Sequence, residues 1–214
     1  VRWRLAAGPD SSQAPCNRNI ARMTADLFPH PWLVNNLLDA SFVDQKTAEL
    51  TNQPLPYGLA DWLAQHFMPE LAHTNEAQLE HSFIRPLLER MGWRPVPQMN
   101  YTVQGKQAKP DWCLALNASA ASALPGSEAH EALQHMAAIC EAKAWNKPLD
   151  TGKAHADNPH HQLMDYLATL RVRFGILTNG RHWRLYDTRE ITARKTYLQM
   201  DLEQVLHLPD GAEK

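Results

Sequence analysis

The segment Met136-Ala137-Ala138-Ile139-Cys140-Glu141-Ala142-Lys143 is apolar without interruption as far as Cys140 and then carries two charges. Such a run predicts a central β-strand covered on both faces. Because side chains alternate along a strand, Glu141 and Lys143 project to one side and Ala142 to the other. Charges in a covered strand are costly unless they are paired or coordinated, so they indicate function. The alternative is a strand end where both side chains reach solvent.

A second predicted strand begins earlier in the chain, at Pro110-Asp111-Trp112. If Asp111 lies on a strand next to that of Glu141, two carboxylates and the Lys143 ammonium converge. Two close carboxylates repel each other unless a positive charge lies between them. Mg²⁺ prefers oxygen ligands and can activate water for attack on a phosphodiester. The pattern therefore predicts Asp111 and Glu141 as metal ligands, the alternative for Asp111 being a residue that caps a turn.

The order of predicted elements indicates a mixed α/β fold. Strands are expected over 99–103, 111–116, 137–145, 174–178 and 182–187, with helices over 76–91 and from Asn158-Pro159 onward. Asn179-Gly180 is a strong hairpin turn signal between the last two strands. A single sheet with helices on both faces would bury these elements. The pattern of residues 117–135 does not decide between a helix, a loop or both. Because this insert separates the two segments in sequence, it weakens the expectation that Asp111 and Glu141 lie on adjacent strands.

We divide the chain into three regions. Residues 1–71 are expected to form a leader and an N-terminal helical extension, with amphipathic helices near 32–40 and 59–67. Residues 72–197 form the predicted core. Residues 198–214 form a C-terminal helix or linker, with helical patterning over 198–208. The first residue is not Met, so a fragment of a longer protein is one reading of the chain.

Further motifs accompany these two segments in a fixed order. They are Asn75-Glu76-Ala77-Gln78, Phe83-Ile84-Arg85-Pro86-Leu87-Leu88, Met91-Gly92-Trp93, Gln162-Leu163-Met164-Asp165-Tyr166, Phe174-Gly175-Ile176-Leu177-Thr178-Asn179-Gly180 and Trp183-Arg184-Leu185-Tyr186-Asp187. Together they resemble the PD-(D/E)XK nuclease superfamily, and within it the N-terminal nuclease domain of type I restriction subunits and of fused type IIG restriction-modification enzymes. The resemblance covers residues 75–187, about half of the chain.

This resemblance implies a restriction-endonuclease-like fold, a mixed central sheet flanked by helices. It also implies a Mg²⁺-dependent endodeoxyribonuclease of restriction type, with DNA as substrate and Mn²⁺ able to replace Mg²⁺. The sequence contains neither a GxxxxGK[ST] phosphate loop nor a methyltransferase motif. Methyltransferase, specificity or helicase functions would therefore belong to a missing downstream region or to partner subunits.

The resemblance also points to residues outside the two strands. It places the acidic residue of the family's first helix at Glu76, as a catalytic residue and metal ligand, with Glu80 as the competing candidate one turn later. A first-turn glutamate is also common because the helix dipole favours it. Gln162 and Tyr166 match a Q-x-x-x-Y pattern, and Gln162 would orient water or phosphate. Otherwise the pair is an ordinary helix surface with a core aromatic. The resemblance leaves open whether Lys143 positions water, helps to deprotonate it or neutralises phosphate charge.

Net charge, hydropathy and cysteine spacing restrict the other classes of protein to which the chain could belong. The formal net charge is −2, so no basic face is evident, although residues 171–195 contain seven Arg or Lys residues that suit either phosphate contact or a solvated surface. No apolar run approaches the roughly 18 residues of a membrane span. Cys16, Cys113 and Cys140 lack CxxC spacing, which favours a reducing, cytoplasmic location and buried thiols.

Two further readings are weighed against the nuclease. Histidines 155, 160 and 161 with Asp157 have irregular spacing and no nearby cysteine, which disfavours a zinc site. The rival function is a non-catalytic, nuclease-like module that binds nucleic acid or partner proteins, and the intact D…ExK set argues against it. A nuclease acting on RNA or branched DNA is the third candidate.

Overall fold

The computed structural model describes residues 33–35, 37, 58–152, 157–190 and 196–207. The strands are β1 Leu33–Asn35, β2 Arg94–Pro97, β3 Tyr101–Val103, β4 Lys106–Ala108, β5 Trp112–Ala115, β6 Ala138–Ala142, β7 Phe174–Thr178, β8 His182–Asp187 and β9 Leu198–Asp201. The α-helices are α1 Leu59–His66, α2 Glu76–Leu79, α3 Arg85–Arg90, α4 Ala118–Ala123, α5 Ala129–His135, α6 Pro159–Leu170 and α7 Leu202–Leu206.

A seven-stranded mixed sheet forms the centre, in the order β1-β9-β8-β7-β6-β5-β2, and β3 and β4 form a separate hairpin. Strands β6 and β7 are parallel, and the other neighbouring pairs are antiparallel. Every residue of β6 is buried, which confirms that the apolar run forms a central strand. The fold class predicted from the sequence, a mixed α/β sheet flanked by helices, is confirmed, and the architecture is compatible with a restriction-endonuclease-like fold.

The two faces of the sheet carry different helices because alternate residues of each strand point in opposite directions. On one face, Cys140 packs in a cluster with residues of α1, α2 and α3, including Trp62, Leu79 and Leu88. On the other face, Ile139 packs in a cluster with residues of α6, including Leu163. Both described thiols, Cys113 and Cys140, are free and buried, as expected for core cysteines.

The helix predicted over 76–91 is present, with a wider turn in its middle. Asn75 caps it, because its side chain accepts from the Gln78 N–H while the Gln78 side chain accepts from the Asn75 N–H. Residues Glu80–Ile84 form a π-helical turn between α2 and α3, where the Arg85 N–H donates to the Glu80 carbonyl. Pro86 follows directly, and its ring would collide with the carbonyl four residues earlier in a regular α-helix. The kink or break expected at Pro86 is thus a π-turn.

The structure corrects the sequence analysis at both sides of the predicted core. The helix predicted over 32–40 is wrong at Leu33–Asn35, which forms β1 and pairs with β9. The helix predicted over 198–208 is wrong at Leu198–Asp201, which forms β9, and only Leu202–Leu206 is helical. Pairing with a neighbouring strand overrides the local helical pattern in both segments. The sheet thus extends beyond 72–197, while the division into domains stays a prediction.

The segment over 117–135 forms two short helices, α4 and α5, and returns the chain to the strand beside β5. The Asn117 side chain caps α4 by accepting from the Ala120 N–H. Strands β5 and β6 pair directly, with Trp112 opposite Cys140. The insert therefore does not separate the two strands. Among the described residues there is no helix with the length and apolarity needed to cross a membrane.

Gly175 of β7 gives a test of this packing. A Cβ at this glycine would lie 2.8 Å from Leu167 Cδ1 and 3.2 Å from Leu163 Cδ2, both on α6. Because overpacking a tight core costs typically 1–3 kcal/mol, we expect Gly175→Ala to lower the free energy of unfolding by about that amount in urea titrations. In Gly175→Ala/Leu167→Ala the loss should be smaller than the sum of the two single losses, whereas strict additivity would contradict the close contact.

Candidate active site

Asp111 and Glu141 lie opposite each other at one end of the sheet. Trp112 pairs with Cys140 in the antiparallel β5–β6 ladder, so the preceding Asp111 faces Glu141 across the strands, and opposite residues share a face. The Ala142 N–H donates to Asp111 Oδ2 at 2.8 Å, which fixes this carboxylate against the end of β6. The structure therefore brings together the two acids singled out in the sequence.

Lys143 is the third member of the group. Its Nζ donates to Glu141 Oε1 at 2.6 Å, and the exposed fractions of the two side chains are 12% and 2%. The pair does not lie at a strand end that is open to solvent. Glu141 Oε2 is also buried but has no hydrogen-bond partner in the described part of the chain. Leaving such a buried acceptor unsatisfied is costly, so this oxygen is suited to a further ligand.

Burial and charge repulsion act on both acids. Burial, and then the nearby Asp111 carboxylate, raise the pKa of Glu141 to about 7, while Lys143 opposes the shift. The pKa of Asp111 is also raised, again mainly by burial, although the hydrogen bond from Ala142 counteracts it. Removal from water penalises the charged form of a carboxyl group, and a second carboxylate penalises it further. A cation bound between the two acids would relieve both penalties.

The two glutamates of the first helix have different surroundings. Glu76 Oε2 accepts a hydrogen bond from the Ala144 N–H at 2.9 Å. Burial raises the pKa of Glu80 to about 7, and the nearby Asp111 and Glu76 charges add to the shift. The buried indole N–H of Trp112 favours the charged form of Glu80 without making a hydrogen bond of normal geometry. Glu80, the competing candidate from the sequence, thus belongs to the same charged group.

Gln162 and Tyr166 lie one turn apart on α6, and Gln162 Nε2 donates to the Tyr166 hydroxyl at 3.2 Å. Burial is the main cause that raises the pKa of Tyr166, and the Glu141 and Asp111 charges add to it. This places the Tyr166 hydroxyl within electrostatic reach of the two acids. The role of Gln162 in catalysis stays a prediction.

The donor set at Asp111 and Glu141 fits a hard divalent cation. Mg²⁺ is usually bound by one or two carboxylates together with waters and substrate phosphates, and here two carboxylates repel each other beside an unpartnered oxygen. Within the described residues, no three or more His, Cys, Asp or Glu side chains group as a metal site. The binding of metal by Asp111 and Glu141, and by Glu76 as the predicted third ligand, stays a prediction.

The described part of the histidine group likewise forms no metal site. His155 lies outside the described residues. His160 is buried, its Nδ1 lies 3.0 Å from the Tyr186 hydroxyl, and its ring is 5.2 Å from that of His161. These contacts assign His160 to packing at the start of α6.

Several arginines of the segment 171–195 are paired with carboxylates. Arg173 pairs with Asp187 at 2.7 Å, Arg181 with Asp201 at 3.0 Å and with Glu203 at 2.8 Å, and Arg184 with Asp150 at 2.6 Å. Arg194 and Lys195 lie outside the described residues. The charge of each of these three arginines is thus balanced by at least one carboxylate.

Comparisons with known proteins show a similarity in structure but not in sequence family. No protein-family model and no curated protein matches this chain. Among solved structures, the chain is similar to a chain of the cryo-electron-microscopy structure of the DrdV–DNA complex, with 17% sequence identity and a TM-score of 0.40. The match covers 67% of this chain and 85% of that chain. The function proposed below therefore rests on the residues of this chain.

The Arg173–Asp187 pair predicts a pH-dependent change in stability. Hydrogen bonds from Arg173 hold the pKa of Asp187 below its usual range, so the pair stabilises the fold above the ordinary aspartate pKa. That contribution is lost as the pH falls through the lowered pKa. Because Arg173 is partly exposed, we expect Arg173→Gln to cost roughly 0.2–1 kcal/mol at pH 7 in urea unfolding and less in acid.

Arg171→Gln is the matched control, because it removes an arginine two residues away for which no ion pair with a described residue is seen. A loss of stability in Arg173→Gln that is equal at both pH values would assign the effect to packing of Arg173 on Phe174, where the guanidinium carbon lies 4.5 Å from the ring centroid.

Proposed function

We propose that this protein is a Mg²⁺-dependent endonuclease that hydrolyses DNA phosphodiesters as part of a restriction-modification system. The observation that carries the proposal is the juxtaposition of Asp111 and Glu141 at adjacent strand ends, with Lys143 Nζ 2.6 Å from Glu141 Oε1. The resemblance of the motifs to type I and type IIG nuclease domains supplies the choice of DNA. Methyltransferase, specificity or helicase partners belong to the same proposal.

In this mechanism the carboxylates of Asp111 and Glu141 would hold the cation. When bound, Mg²⁺ lowers the pKa of a coordinated water and stabilises charge on the phosphate. Lys143 forms a short ion pair with Glu141, so its amine is held as an ammonium. An ammonium suits neutralisation of the charge that develops on the scissile phosphate better than removal of a proton.

The remaining residues support these groups. Glu76 holds the backbone N–H of Ala144, the residue after Lys143, and so positions the lysine at the end of β6. Gln162 has a side-chain carbonyl that can accept from water while its amide donates to Tyr166. We assign Gln162 to orienting the attacking water or a phosphate oxygen, with Tyr166 fixing its rotamer.

Removing either carboxylate tests the proposal directly. We expect Asp111→Ala and Glu141→Ala to reduce DNA cleavage with Mg²⁺ by roughly a thousandfold or more, because a metal contributes several kcal/mol to the transition state. The measurement is cleavage of plasmid DNA by purified proteins whose fold is checked by circular dichroism. Glu131→Ala, at an exposed position of α5, is the control and should cleave like the wild type. Near-wild-type cleavage by Asp111→Ala would refute its role as a metal ligand.

The rival function, a non-catalytic nuclease-like module, is favoured by one observation: Asp111, Glu141 and Glu76 do not form a three-ligand group among the described residues. Calorimetric titration with Mn²⁺ separates the two functions. The endonuclease predicts binding heat that Asp111→Ala abolishes, whereas no heat at millimolar metal favours the module. Cleavage assays on RNA, branched DNA and duplex DNA identify the substrate.

A further inference from the structure

A groove of about 420 Å³ lies beside the candidate active site, at the same end of the sheet. Its walls are the loop that follows β6, the turn between β7 and β8, and the side chains of Arg184 on β8 and Gln199 on β9. We refer to it as the β7–β8 groove. Because β6 ends at Ala142, the loop that lines the groove starts directly after the residues that carry the proposed chemistry.

Hydrogen bonds hold the walls of the β7–β8 groove in place. Asn179 Nδ2 donates to the Lys147 carbonyl at 3.1 Å, which ties the loop to the β7–β8 turn. Asn158 Nδ2 donates to the Asp150 carbonyl at 2.6 Å, and the His160 N–H donates to the Leu149 carbonyl at 3.1 Å. These bonds therefore hold the part of the loop that lines the groove at Lys147, Leu149 and Asp150.

Arg184 is a buried cation at this groove, and one nitrogen of its guanidinium makes no hydrogen bond of normal geometry. Its Nε donates to Gln199 Oε1 at 2.6 Å, its Nη2 donates to Asp150 Oδ2 at 2.6 Å, and its guanidinium carbon lies 4.2 Å from the Tyr197 ring centroid. The side chain is 8% exposed, and Nη1 has no hydrogen-bond partner of normal geometry among the described residues, although the guanidinium also interacts with the Tyr186 hydroxyl. A buried donor without an acceptor is costly, so an acceptor supplied by a ligand would be favourable.

Lys147 contributes the second cation. It lies on the wall of the groove, its side chain is exposed, and its ammonium forms no ion pair with the described residues. Arg184 and Arg181 pair with three carboxylates, those of Asp150, Asp201 and Glu203, so Lys147 is the cation at this groove that has no carboxylate partner among the described residues. An exposed ammonium and a fixed guanidinium on the walls of one groove are suited to an anion with several acceptor oxygens, such as a phosphate diester.

We propose that the β7–β8 groove binds a backbone phosphate of the DNA strand whose scissile phosphate is at Asp111 and Glu141, with Lys147 and Arg184 as its contacts. This inference rests on the proposed function. The short chain connection from Lys143 to Lys147 and the shared sheet end place the two sites along one path. The contact carries no base information, because a backbone phosphate is common to every sequence.

The test compares Lys147→Gln and Arg184→Lys with the wild type and with Lys106→Gln, a control that removes an exposed lysine on the β3–β4 hairpin, outside the groove. Affinity for a mixed-sequence DNA duplex is measured by fluorescence anisotropy at several salt concentrations without divalent metal. We expect Lys147→Gln to bind roughly tenfold more weakly, the size of one charge-assisted hydrogen bond, and its salt slope to fall by about 0.9. Arg184→Lys keeps the charge but loses the unpartnered Nη1, so its affinity falls while its slope stays near the wild-type value.

Hydrolysis of bis(4-nitrophenyl) phosphate with Mn²⁺ separates this proposal from the proposed function. That small diester reaches the acids without occupying the groove, so both groove variants should hydrolyse it at the wild-type rate. Loss of its hydrolysis in Lys147→Gln would place Lys147 in the catalytic centre and overturn the groove proposal. Wild-type affinity and salt slope in both variants, or no DNA binding by the wild type, would overturn it as well. If the wild type cleaves neither plasmid DNA nor the small diester, the nuclease function itself fails. Thermal unfolding checks that Arg184→Lys remains folded.

Discussion

The arrangement of this protein depends on two carboxylates that lie face to face, that of Glu141 buried and that of Asp111 partly buried. Asp111 and Glu141 sit opposite each other on neighbouring strands. Burial raises the pKa of both carboxyl groups, and repulsion from Asp111 raises the pKa of Glu141 further. Lys143 offsets part of this cost through its ion pair with Glu141. The acids stay close together because the central sheet fixes the strands that carry them. Functional sites commonly retain groups whose burial is locally unfavourable.

The end of β6 organises the acids from two different elements. The N–H of Ala142 donates to Asp111, which directly precedes β5, and the N–H of Ala144 donates to Glu76 of α2. Between these two backbone donors lies Lys143, whose own N–H donates to the Thr178 carbonyl at 2.8 Å. One short stretch of backbone thus sets the spacing of three charged side chains, which explains why the motif is compact in the sequence.

Much of this could be read from the sequence, and the exceptions have physical causes. The central strand β6 and the β7–β8 hairpin were predictable because the apolar run and the Asn179-Gly180 turn are local signals. Strand β2 gave no such signal, since Pro95 and Pro97 are unusual in a strand and are tolerated here at the sheet edge. Strands β1 and β9 pair with each other although most of the chain separates them in sequence. Neither strand could therefore be predicted from its own segment.

The residues of the candidate site were likewise only partly predictable from the sequence. Asp111, Glu141 and Lys143 stood out because charges next to apolar runs are visible in a sequence, whereas the choice between Glu76 and Glu80 needed three-dimensional neighbours. The pairing of Arg184 with Asp150 was also invisible, because the two residues lie on separate elements.

The antiparallel β5–β6 pairing has a practical consequence. Strand β5 leaves the acidic end of the sheet and β6 returns to it, so the helices α4 and α5 that join them begin and end at the opposite end. The turn between these helices contains Gly126, which is exposed and has a φ of 84°. A fluorescent label or an immobilisation tag inserted at this turn lies away from the end of the sheet that carries Asp111 and Glu141, so it leaves that end unobstructed for binding measurements.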